Sequence, residues 1–190
     1  MNTDPENENC LGFFINENLK LELINESHAQ EVYNLTDKNR EYLRVWLPWV
    51  DSTNSVSDTS DFIKISKEQF DNNNGFQLII KYNNEVAGLL GLHYLNLPHK
   101  HTEIGYWIAE NYSDKGLVTI SCKALIDHCF DVMNLNRVVI KCATDNLKSR
   151  KIPEKLRFKK EGVLRQEIFM NGKFVDHVLY SVLREEWISK

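Results

Sequence analysis

The sequence lacks a long apolar run, an excess of basic residues and a signal peptide. None of the hydrophobic stretches in its 190 residues approaches the length needed to cross a membrane. The first ten residues, MNTDPENENC, are polar and acidic, unlike a secretory leader. The formal net charge of −4 argues against a general nucleic-acid binder, which is usually basic. These absences predict a soluble cytoplasmic protein that binds neither membranes nor DNA.

Cysteine is scarce, and its spacing has neither a metal-binding nor a disulfide signature. The four cysteines form no CxxC pair and have no histidines at ligand spacing, so we predict no metal site. Cys122 and Cys129 fall on the apolar stripe of a predicted helix, which favours buried free thiols in a reducing compartment. Sequence repeats are also absent. With 42% hydrophobic and 26% charged residues, we expect one globular domain over residues 11–190 behind a flexible tail, residues 1–10.

The order of the predicted elements indicates an α+β fold. Two short strands lead into a helix that we expect to open with a capping box over Ser27–Gln30. A second amphipathic helix covers about residues 58–71, and strands over Phe76–Tyr82 and Val86–Tyr94 follow as a hairpin. Next come a strand, a helix, a strand, a helix and a closing hairpin at Asn171-Gly172. This order fits one mixed sheet better than the regular alternation of a doubly wound fold.

The stretch from Glu103 to Asp131 changes character halfway. Residues 103–109 alternate like a strand, and from Val118 onward the apolar residues fall at helical spacing. A polar loop that ends in Lys115-Gly116 joins the two parts. The first amides of a helix are unpaired and carry the positive end of its dipole. A strand that passes through a glycine-bearing loop into a helix therefore predicts an anion site, which we assign to the phosphates of a cofactor.

Several segments together resemble the GNAT acetyltransferase superfamily, and within it the RimJ/RimL branch, which acetylates the amino termini of ribosomal proteins. The resemblance covers nearly the whole chain from Leu19 and rests on the order and spacing of the segments, since none is decisive alone. The segments are EIGYWI (103–108), DKGLVT (114–119), LNRV (135–138), NLKSR (146–150), EKLRF (154–158), EGVLR (161–165) and the Asn171-Gly172 hairpin with Asp176. The resemblance implies the GNAT fold, a mixed but mostly antiparallel central sheet flanked by about four helices.

The resemblance also implies an acetyl-CoA site in a V-shaped opening between strand 103–109 and strand 137–144. The pantetheine arm would pair with the backbone after Tyr106, and the pyrophosphate would lie on the loop amides. Val118 brings bulk to a helix N-terminus where the family usually has Gly or Ala, so we expect its side chain to turn into the core. The residues implied to bind the cofactor are Trp107, Ile108, Ser113, Asp114, Lys115, Gly116, Leu117, Val118, Thr119, Asn146 and Lys155.

Acetyl transfer needs a group that protonates the departing thiolate. Many members of the family use a tyrosine, but the matching position here is Pro153, so Ser149 is the candidate donor. Because Pro153 lacks an N–H group, we expect the helix to be loosened where Ser149 lies. The alternative for Asn146 and Ser149 is a purely structural role as helix cap and polar first-turn residue.

The amine must also lose a proton, and Glu103 is the candidate base; its alternative is an ordinary surface residue of a strand. Relatives often carry a second glutamate in the last hairpin, where this chain has Ile168. Strand alternation predicts that the neighbouring Glu167 faces the other side of the sheet. A plain core role is the alternative for the two tryptophans among the predicted substrate-pocket residues, which are Trp46, Trp49 and Tyr106.

We predict an acetyl-CoA-dependent N-acetyltransferase and favour a protein α-amine as acceptor. An α-amine has a pKa of about 7.7–8.0 and a lysine side chain one of about 10.4, so the α-amine is the easier of the two to deprotonate at neutral pH. A site with few candidate acids and bases therefore suits an α-amine better. The alternatives are an enzyme that acetylates a polyamine, amino sugar or amino acid, and a protein that binds acyl-CoA without transferring the acyl group.

A basic cluster from Lys148 to Lys160 is predicted to be mostly a solvated helix face, with the cofactor's 3′-phosphate or ribosomal RNA as alternative contacts. Within it, Arg157 stands where the family usually has glycine. The sequence leaves a homo-oligomer open.

Overall fold

A computed structural model describes residues 11–188, and no helix within them is long and apolar enough to span a membrane. The predicted tail, residues 1–10, lies outside the described residues. The strands are β1 (Gly12–Phe14), β2 (Leu19–Leu23), β3 (Phe76–Tyr82), β4 (Glu85–Asn96), β5 (His101–Ile108), β6 (Arg137–Ala143), β7 (Lys159–Met170) and β8 (Lys173–Leu183). The helices are α1 (Ala29–Lys38), α2 (Arg40–Leu43), α3 (Val56–Asp71), α4 (Leu117–Asp131), α5 (Leu147–Lys155) and α6 (Arg184–Ile188). Since α2 and α6 are short, the four long helices match the number predicted.

One sheet contains all eight strands, in the order β1-β2-β3-β4-β5-β6-β8-β7. Every neighbouring pair is antiparallel except β5 and β6. That parallel pair is short, because it joins only His101–Glu103 to Arg137–Val139. Beyond Glu103 the two strands separate, while β5 stays paired with β4 and β6 with β8. The sheet therefore opens into a V, and the mixed, mostly antiparallel architecture predicted from the sequence is confirmed.

The main core lies between the sheet and α4. The helix buries Leu117, Cys122, Leu125 and Cys129 against the strands, which follows from their helical spacing. Cys122 and Cys129 are buried and form no disulfide, as predicted. Burial raises the pKa of both thiols, that of Cys129 to about 12, so neither is a reactive thiolate at neutral pH.

Two turns test the local predictions. The closing hairpin turns at Asn171 and Gly172, with φ of 52° and 76°, which is the left-handed pair that Asn-Gly favours. The predicted cap of the first helix is wrong by two residues. Asn25 accepts a hydrogen bond from the Ser27 amide at 3.0 Å, and His28 Nδ1 accepts one from the Asn25 amide at 3.1 Å. Because this reciprocal pair already satisfies the first amides, Ser27 lies inside the first turn.

Candidate active site

Two cavities meet where β5 and β6 separate. The wide cavity, of about 790 Å³, lies beside α3 and the β7–β8 hairpin. The narrow cavity, of about 380 Å³, runs past the N-terminal ends of α4 and α5. A single junction connects them, because six residues line both: Trp46, Leu47, Tyr106, Trp107, Asn146 and Ser149.

The narrow cavity contains the N-terminus of α4. Gly116 is the N-cap residue with φ of 77°, and no side chain among residues 11–188 caps this helix. A Cβ added at Gly116 would meet no atom within 4 Å, so the space in front of the helix is open. The amides of Leu117, Val118 and Thr119 have no backbone acceptor in the part of the chain that the structure describes. Unpaired donors at the positive end of a 15-residue helix make an anion cradle.

Ten of the eleven residues predicted to bind the cofactor line the narrow cavity. The exception is Lys115, whose ammonium nitrogen lies over the Tyr112 and Tyr82 rings, 5.1 Å and 5.6 Å from their centroids. Val118 also belongs to the buried core and is 6% exposed, so it is turned inward as expected. Lys148 and Lys151 line this cavity too. In the sequence these two lysines belong to the basic cluster from Lys148 to Lys160, which we interpreted mostly as a solvated helix face.

The junction is built around the hydroxyl groups of Tyr106 and Ser149. Ser149 Oγ lies 3.2 Å from Cys142 Sγ and 3.3 Å from the Tyr106 hydroxyl oxygen. The Tyr106 hydroxyl donates to the backbone carbonyl of Ser149 at 3.0 Å. This is the carbonyl that Pro153 cannot bond one turn later, because proline has no N–H group. Burial raises the pKa of Tyr106 well above its ordinary value, so the phenol stays protonated and remains a donor.

Asn146 caps α5 beside this junction. Its Oδ1 accepts a hydrogen bond from the Ser149 amide at 3.0 Å, so Asn146 does have the helix-capping role that the sequence offered as an alternative. Asn146 also lines both cavities, and Ser149 does the same. The two roles are therefore compatible: the cap fixes the first turn of α5 and thereby places Ser149 between the cavities.

We refer to the polar side chains Glu103, Lys141, Glu167 and His177 of the wide cavity as its floor. Glu103 is mostly buried. Its Oε2 lies 3.3 Å from Lys141 Nζ, and its Oε1 lies 3.8 Å from His93 Nδ1. Burial acts to raise the pKa of Glu103, but the adjacent His93 and Lys141 outweigh it and hold the pKa below its ordinary value. Glu103 is therefore an ionised carboxylate that is better suited to hold a cation than to accept a proton.

Glu167 also faces the wide cavity, so the prediction from strand alternation is wrong. The register of β7 and β8 shifts between Leu164 and Ile168, and Gln166 has φ of 54°. Asp176 fixes this bulge by accepting the Gln166 amide at 2.8 Å. A bulge interrupts the alternation of side chains. Glu167 and Ile168 consequently both line the cavity, and Glu167 Oε1 accepts a hydrogen bond from Lys141 at 2.9 Å.

Three tryptophans, Trp46, Trp49 and Trp107, contribute to the wall of the wide cavity. The rings of Trp49 and Trp107 are 5.9 Å apart at an angle of 55°. Trp46 packs against the buried cluster of Ala143, Met170 and Val175, so it also belongs to a small core. Trp49 is 38% exposed, which distinguishes it from a core residue.

Sequence reasoning did not single out two residues on the same floor, Lys141 and His177. Lys141 joins the two carboxylates of the floor, Glu103 and Glu167. His177 lies on β8 opposite Ala143 and lines the wide cavity. Its only sequence signal is a polar residue inside an apolar strand, which is too common to mark a site.

The fold and the two cavities define a transferase that brings a phosphate-bearing donor and a second substrate together at one junction. The chain belongs to the GNAT acetyltransferase family, because the acetyltransferase (GNAT) domain matches residues 18–159. It is 33% identical to a putative ribosomal N-acetyltransferase of Bacillus subtilis, over 91% of this chain and 95% of that protein. It is 29% identical to the ribosomal-protein-serine acetyltransferase of Escherichia coli, over 88% of this chain and 93% of that protein.

Two further similarities bear on the ligands. A crystal structure of the microcin C7 self-immunity acetyltransferase in complex with acetyl-CoA and AMP has a TM-score of 0.86 and 31% identity, covering 89% of this chain and 94% of that one. A spermidine N(1)-acetyltransferase of Escherichia coli is 29% identical over a shorter stretch, 60% of this chain and 61% of that protein.

Acetyl-CoA is the cofactor, and the protein is an N-acetyltransferase. The narrow cavity fits this cofactor in charge and shape: the open cradle at α4 would hold the pyrophosphate, and Lys148, Lys151 and Lys155 would offset its negative charge. When bound, the cofactor supplies the acetyl group as an activated thioester.

Proposed function

We propose that the enzyme acetylates the N-terminal α-amine of a protein, with a ribosomal protein as the substrate class. The observation that carries this proposal is the form of the wide cavity. Its volume of about 790 Å³ exceeds the need of a single amine, and it includes exposed apolar side chains, Trp49, Phe62 and Ile65. An extended peptide can place its first residue at the junction and lay its next side chains on this apolar surface. The names of the two ribosomal relatives support the same substrate class.

The charge of the wide cavity favours a substrate with one ammonium group over a substrate with several. Glu103 and Glu167 contribute two negative charges and Lys141 one positive charge, which leaves one negative charge uncompensated. Asp58 also lines the cavity, but its carboxylate is already bonded to the amides of Asn54 and Ser55 at the start of α3. A polyamine carries several charges and would need more free carboxylates than this floor offers.

The residues then have distinct roles in the proposed reaction. Glu103 attracts the ammonium group and orients it toward the junction, while the amides at the start of α4 would hold the pyrophosphate of the cofactor. Ser149 lies between the two cavities, where its hydroxyl can donate to the departing sulfur. Tyr106 keeps the Ser149 backbone in place by donating to its carbonyl.

A substrate panel tests the proposal through the release of free thiol from acetyl-CoA. We expect peptides that begin with Ser or Ala to release thiol, whereas their N-terminally blocked counterparts release none. Spermidine and diamines run alongside as the second candidate, which the similarity to a spermidine acetyltransferase motivates. Reaction of the diamines with no reaction of the peptides would replace the proposed function with small-molecule acetylation.

A further inference from the structure

Cys142 is a buried free thiol that lies beside the junction of the two cavities. It is on β6, three residues beyond the last pair that joins β5 to β6, and it lines the wide cavity. Cys122 and Cys129 are the other free cysteines of residues 11–188, and they line neither cavity. Cys142 is therefore the buried thiol whose position connects it to the active site.

Three elements meet at this thiol, because Tyr106 is on β5, Cys142 on β6 and Ser149 in the first turn of α5. Ser149 Oγ lies 3.2 Å from Cys142 Sγ and 3.3 Å from the Tyr106 hydroxyl oxygen. A bond between two hydroxyl groups usually spans about 2.5–3.0 Å, so 3.3 Å is long. Sulfur is larger than oxygen, so 3.2 Å is a close contact. The thiol is therefore the nearer side-chain partner of the Ser149 hydroxyl.

The hydrogens of these three side chains can be assigned one by one, because each hydroxyl or thiol group carries a single hydrogen. The Tyr106 hydroxyl donates its hydrogen to the backbone carbonyl of Ser149 at 3.0 Å. The Ser149 hydroxyl is placed to donate to Cys142 Sγ. It cannot donate to Cys142 and to a departing sulfur at the same time. Once Ser149 turns its hydrogen to the cofactor, the Cys142 thiol is free to donate to the Ser149 oxygen in return.

The surroundings of Cys142 keep the thiol protonated. Burial raises its pKa, and the hydrogen bonds with Ser149 and Tyr106 oppose this effect without cancelling it. At neutral pH the group therefore has both a hydrogen to donate and a sulfur that accepts, whereas an apolar side chain at position 142 would have neither. A hydroxyl group that receives a hydrogen bond also donates a stronger one, because neighbouring bonds polarise each other.

We propose that Cys142 is a positioning residue that holds the Ser149 hydroxyl at the junction and strengthens it as a donor. This inference rests on the donor role of Ser149 in the proposed function. In the free enzyme Cys142 accepts the Ser149 hydrogen, and during transfer it donates to the Ser149 oxygen instead. Cys142 forms no covalent bond. The proton that the amine nitrogen loses reaches the departing sulfur through the Ser149 hydroxyl, so Cys142 is a neutral thiol before and after the reaction.

The kinetic test measures the single-turnover rate of acetyl transfer in Cys142→Ala and Cys142→Ser. Cys142→Ala should lower the rate about 10-fold, which corresponds to one hydrogen bond of about 1.4 kcal/mol, and should leave the Kd for acetyl-CoA unchanged. Cys142→Ser keeps a group that donates and accepts, so it should retain most of the rate. Cys129→Ala is the control for a hollowed core, because Cys129 is also buried but lies outside both cavities, and its rate should be unchanged. Equal losses in Cys142→Ala and Cys142→Ser would overturn the proposal.

A double-mutant cycle separates an action through Ser149 from a general effect on packing. In the Ser149→Ala background there is no hydroxyl group to hold, so adding Cys142→Ala should leave the single-turnover rate unchanged. A further 10-fold loss in that background would overturn the proposal, because Cys142 would then act without Ser149. The substrate is whichever amine releases thiol in the panel. Reaction of diamines without peptides therefore removes the proposed acceptor and leaves the test of Cys142 intact.

Infrared spectroscopy of the S–H stretching band gives a readout without turnover. The Cys142 band is assigned by its loss in Cys142→Ala. With acetyl-CoA present and no amine, the band of the unaltered enzyme should lie at lower frequency than that of Ser149→Ala, because donation to the Ser149 oxygen weakens the S–H bond. The same frequency in both proteins would overturn the proposal. An acetyl group found on Cys142 by mass spectrometry in this mixture would also overturn it, because the thiol would then react covalently.

Discussion

The hydrogen bond from Tyr106 to the Ser149 carbonyl makes a prediction that a double-mutant cycle can measure. In wild type, Pro153 cannot donate to this carbonyl, so the Tyr106 hydroxyl supplies the missing partner at 3.0 Å. Tyr106→Phe removes that donor and leaves a partly buried carbonyl unpaired, which costs up to about 1–3 kcal/mol. Pro153→Ala restores an N–H group one turn after Ser149, so the α-helical bond can form again. The same Tyr106→Phe change should then cost at least about 1 kcal/mol less.

The assay is urea denaturation of the four proteins, with the free energy of unfolding taken by linear extrapolation. For a chain of this length, 1 kcal/mol also corresponds to about 2–4 °C in Tm, which gives a second readout. Tyr112→Phe is the matched control, because the Tyr112 hydroxyl donates to Glu85 at 2.6 Å and makes no hydrogen bond to α5 within residues 11–188. An equal cost of Tyr106→Phe in both backgrounds would refute the reasoning that proline creates the need for the tyrosine.

Three further predictions concern the cofactor, the chemistry and the stability. Gly116→Ala and Gly172→Ala each place a side chain in open space at nearly the same φ, 77° and 76°, so both should lower the free energy of unfolding by about 1 kcal/mol. Only Gly116→Ala should also reduce the rise in Tm that acetyl-CoA causes. An equal rise in Tm with acetyl-CoA in the two variants would argue against the cradle. Ser149→Ala should lower kcat by about 10–100-fold with little change in the KM for acetyl-CoA, and an unchanged kcat in a steady-state assay would remove Ser149 from the mechanism. Glu161 is bonded to Arg137, which lowers the pKa of Glu161 from its ordinary value to about 2, so the stability it adds is present above pH 4.5 and is lost as pH falls toward 2. The difference in urea midpoint between wild type and Glu161→Gln should shrink over that range, and a constant difference would contradict the assignment.

Much of the fold could be predicted because its signals are local. The helical spacing of α4, the Asn171-Gly172 turn and the strand–loop–helix junction at Gly116 each depend on a few neighbouring residues. Even the consequence of Pro153 was partly foreseeable, because a missing N–H group can be seen in the sequence. Its partner Tyr106 could not be identified, since the contact joins residues 43 positions apart.

The floor of the wide cavity was harder to predict because a bulge controls it. Gln166 takes a left-handed conformation with φ of 54°, and strand alternation fails from there. No residue type in the segment marks that position, since glutamine is not a residue that favours positive φ. Arg157 shows the same limit: its φ of 58° keeps the turn where the family usually has glycine, although a side chain there costs about 1–2 kcal/mol.

The measurement that bears most directly on the proposed reaction is the position of the new acetyl group. The substrate is a Ser-initiated peptide with one internal lysine, incubated with the enzyme and acetyl-CoA beside an equal concentration of spermidine. We predict that fragmentation mass spectrometry will place a single acetyl group on the N-terminal nitrogen, with spermidine left unmodified. Acetylation of the lysine side chain, or of spermidine in preference to the peptide, would contradict the assignment of a protein α-amine as the acceptor.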